Sequence, residues 1–155
     1  MTTTPNESML ADAGGQSATP ANEDLKHLDS LETKFQAVRD CTTSVAQGLT
    51  TGFYLYGLGG CGKSYAVLEE LKRRKVPYHL YNSRMTGRGL YDALEDAPET
   101  IHVLEDMEQL FRDSGATGVL RSALWSQGGG NVKLPQQRVV TWTTNKMPHS
   151  FVFTG

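Results

Sequence analysis

The sequence predicts an α/β fold with helices on both faces of a mostly parallel sheet, a three-layer arrangement. Three observations carry this. Short apolar or aromatic runs alternate with stretches of helical spacing from residue 53 onward, the pattern of strands joined by crossover helices. A glycine-rich octet at 57–64 joins one such run to one such helix. The apolar-leaning run at 101–104 ends in two acids, Glu105 and Asp106; a strand so continuously apolar is buried on both faces of a parallel sheet. With 155 residues and no internal repeat, the chain suits one domain.

Residues 1–22 are rich in Thr, Ala, Ser, Gly, Asn and Pro and hold few large apolar side chains. Such a stretch cannot offset its ordering entropy by burial and is expected to be a disordered tail before a core at 23–155. It lacks the basic and apolar regions of a secretory signal. Asn22 or Ser30 could cap a helix with Leu25, Leu28, Leu31, Phe35, Val38 and Val45 on one broad face, closed by Gly48; such a stripe is ordinarily packed on the core. A strand is expected at 53–56. The helix after the octet ends in Lys72, Arg73, Arg74 and Lys75. That run could be a nucleic-acid patch. The favoured reading is structural: cations suit a helix C-terminus, and Glu69 and Glu70 stand four residues before Arg73 and Arg74.

Pro77 breaks that helix, and 78–81 reads as the next strand. A short helix within 86–97 carries Leu90, Tyr91 and Leu94, is weakened by Gly87 and Gly89, and stops before Pro98. His102, inside the run at 101–104, is expected to be a packed residue rather than a ligand. Two helical pieces follow at 107–112 and 117–125, then a flexible loop at 128–130. A strand is expected at 139–144, and the start of another at 151–153.

The octet is Gly57, Leu58, Gly59, Gly60, Cys61, Gly62, Lys63 and Ser64. It fits G-x-x-x-x-G-K-[ST], the phosphate-binding P-loop, with strand expected before it and helix after it. Glycines let the backbone turn tightly and aim N–H groups at phosphate oxygens, and the helix brings its positive end to the same anion. Gly57, Gly59, Gly60, Cys61, Gly62, Lys63, Ser64 and Tyr65 form the expected nucleotide-binding set. Lys63 would reach the β- and γ-phosphates as a catalytic cation, and the Ser64 hydroxyl would hold Mg²⁺. The fold expected is therefore that of a P-loop NTPase.

Glu105 and Asp106 would face the ligand crevice at the carboxyl end of their strand. This is the Walker B arrangement, with the usual Asp–Glu order reversed. Glu105 is assigned to the magnesium shell and Asp106 to orienting the attacking water. A shifted register would give those roles to Asp106 and Glu108, and a plainer reading makes the acids a helix cap. Asn145 ends the strand expected at 139–144, where many AAA+-class ATPases carry an Asn that touches the γ-phosphate. Asn145 and Lys146 also hint at a guanine motif, but Pro148 stands where its Asp should be, and no D-x-x-G follows the P-loop. The GTPase reading fails there.

From about Phe35 onward the chain resembles AAA+-class P-loop ATPases of phages and other mobile elements. The resemblance is carried by Tyr56 and Gly57 through Tyr65, by Thr86, Leu90, Tyr91 and Leu94, and by Val103, Leu104, Glu105 and Asp106. Residues 120–124, 138–142 and 151–155 complete it. The P-loop part is highly specific and the rest less so. The resemblance implies ATP and Mg²⁺ as cofactors, Mg-dependent hydrolysis, assembly into a homo- or hetero-oligomer, and a nucleic-acid or protein substrate. In such relatives the piece resembling 151–155 leads into the sensor 1 strand. By that alignment Asn145 is a hairpin residue, and the sheet is incomplete, lacking the sensor strand and the lid. The P-loop and Walker B strands would then keep unpaired edges. Two other readings remain beside it: a nucleotide-binding remnant without turnover, and a small-molecule kinase, for which the basic lid is missing.

The formal net charge of −2 gives no global attraction to nucleic acid or membrane. No apolar run approaches the roughly 20 residues of a membrane span. Two cysteines, Cys41 and Cys61, make neither a disulfide framework nor a metal site, which fits the reducing cytoplasm.

Overall fold

The computed structural model describes residues 20–125, 137–144 and 147–155. By its contacts the chain divides into Met1–Thr33 and Lys34–Gly155. Helix α1 is Pro20–Ala46. It begins before the expected cap at Asn22, so residues 20–22 are helical rather than tail. Proline is favoured in a first turn, where its missing N–H is no loss. The rest of the expected tail lies outside the described residues. Within the first unit, Leu25, Leu28 and Leu31 are exposed. That half of the apolar stripe is not packed on a core, contrary to the expectation.

In the second unit, Phe35, Val38 and Val45 of α1 are half-buried. Helix α2 (Lys63–Arg74) buries Ala66 and Leu71. It closes on Lys75 at φ 57°, whose N–H turns back to the carbonyls of the last turn. Arg73 and Arg74 both hydrogen-bond Glu70, so these two cations of the basic run serve their own helix.

Strand β1 (Tyr78–Tyr81) pairs in parallel with β2 (Ile101–Leu104), Leu80 opposite Val103. Helix α3 (Gly87–Asp96) makes the crossover between them, its first turn capped by the Thr86 hydroxyl accepting from the Gly89 N–H at 3.1 Å. A 3₁₀ turn at Glu108–Arg112 leads to α4 (Ser114–Leu124). That helix starts three residues earlier than its spacing suggested because Asp113 caps it, accepting from the Ala116 N–H at 3.0 Å.

Strands β3 (Arg138–Thr144) and β4 (Met147–Phe153) form an antiparallel hairpin. Proline cannot donate to a ladder, yet Pro148 stands within β4, opposite Thr143, a place open to it where its nitrogen faces away from the partner strand. The partner of 139–144 is thus β4, and neither β2 nor 53–56. Asn145 and the loop at 128–130 lie outside the described residues.

The core is the seam between α3, α4 and the hairpin. Leu90, Tyr91 and Leu94 meet Ala116, Val119 and Ala123, closed by Val140 and Phe153. Gly87 is required here, since a Cβ on it would lie 2.6 Å from the Ala116 nitrogen. His102 is packed as expected, its ring parallel to Tyr81 at 5.7 Å and its Nε2 2.9 Å from the Ala97 carbonyl oxygen.

One expected strand is not formed. Residues 53–56 belong to no sheet, and Phe53, Tyr54 and Tyr56 are exposed. An apolar alternating run becomes a strand only against a partner backbone, and none of the described residues supplies one. Among the described residues, no helix is long and apolar enough to cross a membrane.

Candidate nucleotide-binding site

The glycine-rich loop leads directly into α2. Gly60 and Gly62 adopt φ 73° and 83°, the left-handed region where a side chain costs about 1 kcal/mol or more. Gly62 is the N-cap of α2 and contributes no capping side chain. The first helical bond runs from Ala66 N–H to Gly62 carbonyl at 3.0 Å. The N–H groups of Lys63, Ser64 and Tyr65 therefore have no intrahelical acceptor, and the helix end is a ready anion site.

The Lys63 ammonium folds back over the loop. It donates to the carbonyls of Leu58 at 2.6 Å and Gly57 at 3.0 Å, and lies 3.6 Å from the Cys61 sulfur. The Cys61 thiol also donates to the Leu58 carbonyl, at 3.1 Å. A phosphate group entering the loop would compete with these carbonyls for the ammonium. Charge favours the exchange, because two neutral acceptors would be replaced by an anion.

A cavity of about 710 Å³ opens beside the loop, and Gly57, Gly59, Lys63, Ser64, Glu105, Asp106 and Glu108 all line it. Residues more than forty positions apart in sequence thus line one cavity. Gly60, Cys61, Gly62 and Tyr65 belong to the turn and the first helical residues and are not part of that lining. The parallel pair arranges the acids: Glu105 N–H donates to the Tyr81 carbonyl at 2.8 Å, so the β-ladder continues one residue past β2. Asp106 then turns sharply at φ 52°, strained for any residue but glycine and least so for Asp and Asn.

Glu105 Oε1 is buried without a hydrogen-bond partner. A carboxylate oxygen left so is suited to receive a cation or its bound water. No group of three metal-ligating side chains occurs among the described residues. Magnesium does not need one, since it keeps most of its waters and borrows phosphate oxygens. Ser64 and Glu105 fit that minimal role.

The sequence did not single out the aromatic rail at the cavity wall. Tyr54 and Tyr56 lie nearly parallel at 6.2 Å, and Phe111 meets Tyr54 edge-on at 5.2 Å. The i, i+2 spacing of the two tyrosines was the available signal. Comparisons with family models, curated proteins and solved structures return no match for this chain.

Proposed function

We propose that this chain binds a nucleoside triphosphate, ATP, with Mg²⁺ at residues 57–64. The observation that carries the reading is the convergence of Lys63, Ser64, Glu105 and Asp106 on one cavity at the open N-terminal end of α2. The loop N–H groups and Lys63 would hold the phosphates, while Ser64 and Glu105 would hold the metal or its water. Asp106 would orient a water for attack on the γ-phosphate, which makes the reaction Mg-dependent ATP hydrolysis. The resemblance to mobile-element AAA+ ATPases supports the same reading. It extends it to a cytoplasmic protein acting on nucleic acid or protein within an oligomer, in an NTPase fold of three layers.

A second reading, nucleotide binding without turnover, is favoured by one observation. Residues 53–56, which should hold the loop from one side, have no strand partner among the described residues. Catalysis needs the reacting groups held in place to within a fraction of an ångström. Titrating Mg-ATP calorimetrically, with phosphate release followed in the same samples, separates the readings. Lys63→Ala is expected to weaken binding by about tenfold or more. Undiminished affinity in that variant would sink the site, and binding without phosphate release would select the second reading.

A further inference from the structure

One wall of the cavity beside the loop has no part in holding phosphate. Tyr54, Tyr56 and Phe111 line that cavity together with Gly57, Lys63 and Ser64, and all three aromatic residues are exposed. Single apolar side chains on a surface need no explanation, but a contiguous run of them beside polar groups marks a place of contact. The two tyrosine rings are tilted by only 17° at 6.2 Å, and Phe111 meets Tyr54 edge-on at 5.2 Å. Tyr54 thus touches two rings. Tyr56 touches one of them and is 82 % exposed, so it keeps most of its surface for something else.

Position and charge select the occupant. Tyr56 precedes Gly57, whose carbonyl accepts from the Lys63 ammonium at 3.0 Å. Its ring is therefore carried on the residue next to the place where the terminal phosphates would be held. A nucleotide ties its base to those phosphates through a ribose, which keeps the base within that short tether of Lys63. A base is flat, and its π-face stacks on a tyrosine ring. A strand of nucleic acid would meet the same rings, but it brings a phosphate with every nucleotide to a cavity lined by Glu105, Asp106 and Glu108, and like charges repel. The phosphates of one nucleotide have Lys63, the first N–H groups of α2 and Mg²⁺ to offset those acids; the further phosphates of a strand would not.

We propose that the base of the bound nucleotide stacks on the Tyr56 ring, with Tyr54 and Phe111 holding that ring in place. Phe111 reaches the rail from the 3₁₀ turn at Glu108–Arg112, which follows Glu105 and Asp106 in the chain. The acids proposed for metal and water and the ring that props the base platform thus lie on one short segment. The inference rests on the nucleotide reading above and adds to it the residue that holds the base.

Calorimetric titration of the full chain with Mg-ATP and with Mg-tripolyphosphate, which has the phosphates but neither base nor sugar, tests it. Tyr56→Leu is expected to weaken Mg-ATP by about tenfold and to leave Mg-tripolyphosphate unchanged. Tyr56→Phe, which keeps the ring face, is expected to bind both as the wild type does. Tyr56 is exposed, so neither variant is expected to disturb folding. Undiminished Mg-ATP affinity in Tyr56→Leu would overturn the stacking while leaving the phosphate site in place. Equal weakening of both ligands would also overturn it, giving Tyr56 a part in shaping the loop instead. A wild-type chain that binds neither ligand would remove the nucleotide reading and this inference with it.

Discussion

Thr43 of α1 donates a hydrogen bond of 3.0 Å to Glu70 of α2, the polar tie between these helices. Glu70 also accepts from the Arg73 Nε at 2.8 Å and from the Arg74 guanidinium. Its side chain is buried and meets both guanidinium groups, so its charge is matched where it lies. The α2 helix that carries Lys63 is anchored to α1 through this cluster.

A pH dependence follows. The Arg73 hydrogen bond, helped by Arg74 and Thr43 and opposed by burial, lowers the Glu70 pKa to about 2. A carboxylate whose folded pKa is depressed contributes stability above its unfolded value near 4.5 and loses it as pH falls toward 2. The contribution is about 2 kcal/mol, below what the full shift implies because Arg73 lies largely in water. Thermal melts should show this loss between pH 4.5 and 2, and Glu70→Gln should flatten that limb. An unchanged acid limb in Glu70→Gln would remove the cluster from the account.

His102 gives a second window. Burial lowers its pKa below the ordinary 6.5, and only the Ala97 carbonyl pulls the other way. The folded state therefore keeps the ring neutral while the unfolded chain takes up a proton, so stability is present above about pH 6.5 and falls below it. Melting temperature is expected to decline from pH 7 to 5.5 in the wild type, and less steeply in His102→Phe.

How far these features were legible depends on how local their causes are. Helices α2 and α3 follow from spacing, capping and the flanking Gly62, Thr86 and Pro98, all within a few residues. Strands β1 and β2 were readable from their apolar runs bounded by Pro77 and Pro98. The octet's spacing alone carries the nucleotide-binding proposal, because the glycines, Lys63 and Ser64 are all local to it. The segment 53–56 misled because a strand is a property of two backbones, and its sequence records only one. The place of Pro148 within β4 was not legible for the same reason: whether a missing N–H matters depends on which edge faces a partner. The Glu70 cluster needed the 27-residue separation from Thr43 closed in space, which no local pattern reveals.

The α3–α4 contact makes a sharp stability test. A Cβ at Gly87 would lie 2.6 Å from the Ala116 nitrogen and 3.0 Å from the Gly115 carbonyl carbon. Both are backbone atoms that cannot rotate away. Gly87→Ala is expected to destabilise by about 2 kcal/mol or more through forced separation of the helices. Gly118→Ala, with nothing within 4 Å of the added atom, should be neutral or stabilising by about 0.5–1 kcal/mol. Equal denaturation midpoints for the two variants would contradict the packing described.

Gly62 couples loop geometry to the proposed ligand. At φ 83° an added methyl is strained by its backbone, and it would also come within 3.4 Å of the Phe35 ring. Gly62→Ala is expected to cost about 1–2 kcal/mol of stability. It should also weaken Mg-ATP binding by re-aiming the first N–H groups of α2. Calorimetric affinity equal to wild type would show that those groups do not meet phosphate.

Asp106 separates strain from chemistry. Its φ of 52° is one that glycine adopts freely and alanine does not. If the carboxylate has no function, replacing it by glycine changes little, because relief of strain and the greater freedom of the unfolded chain nearly cancel. Asp106→Gly is accordingly expected to melt within about 0.5 kcal/mol of the wild type, and Asp106→Ala to lose about 1 kcal/mol. The proposed role in orienting water adds a second expectation that stability cannot mimic. Both variants should keep Mg-ATP binding, since Asp106 touches neither phosphate nor metal in that role, and both should lose phosphate release. Turnover retained in the stable glycine variant would move the role to Glu108, the other acid on the same cavity wall.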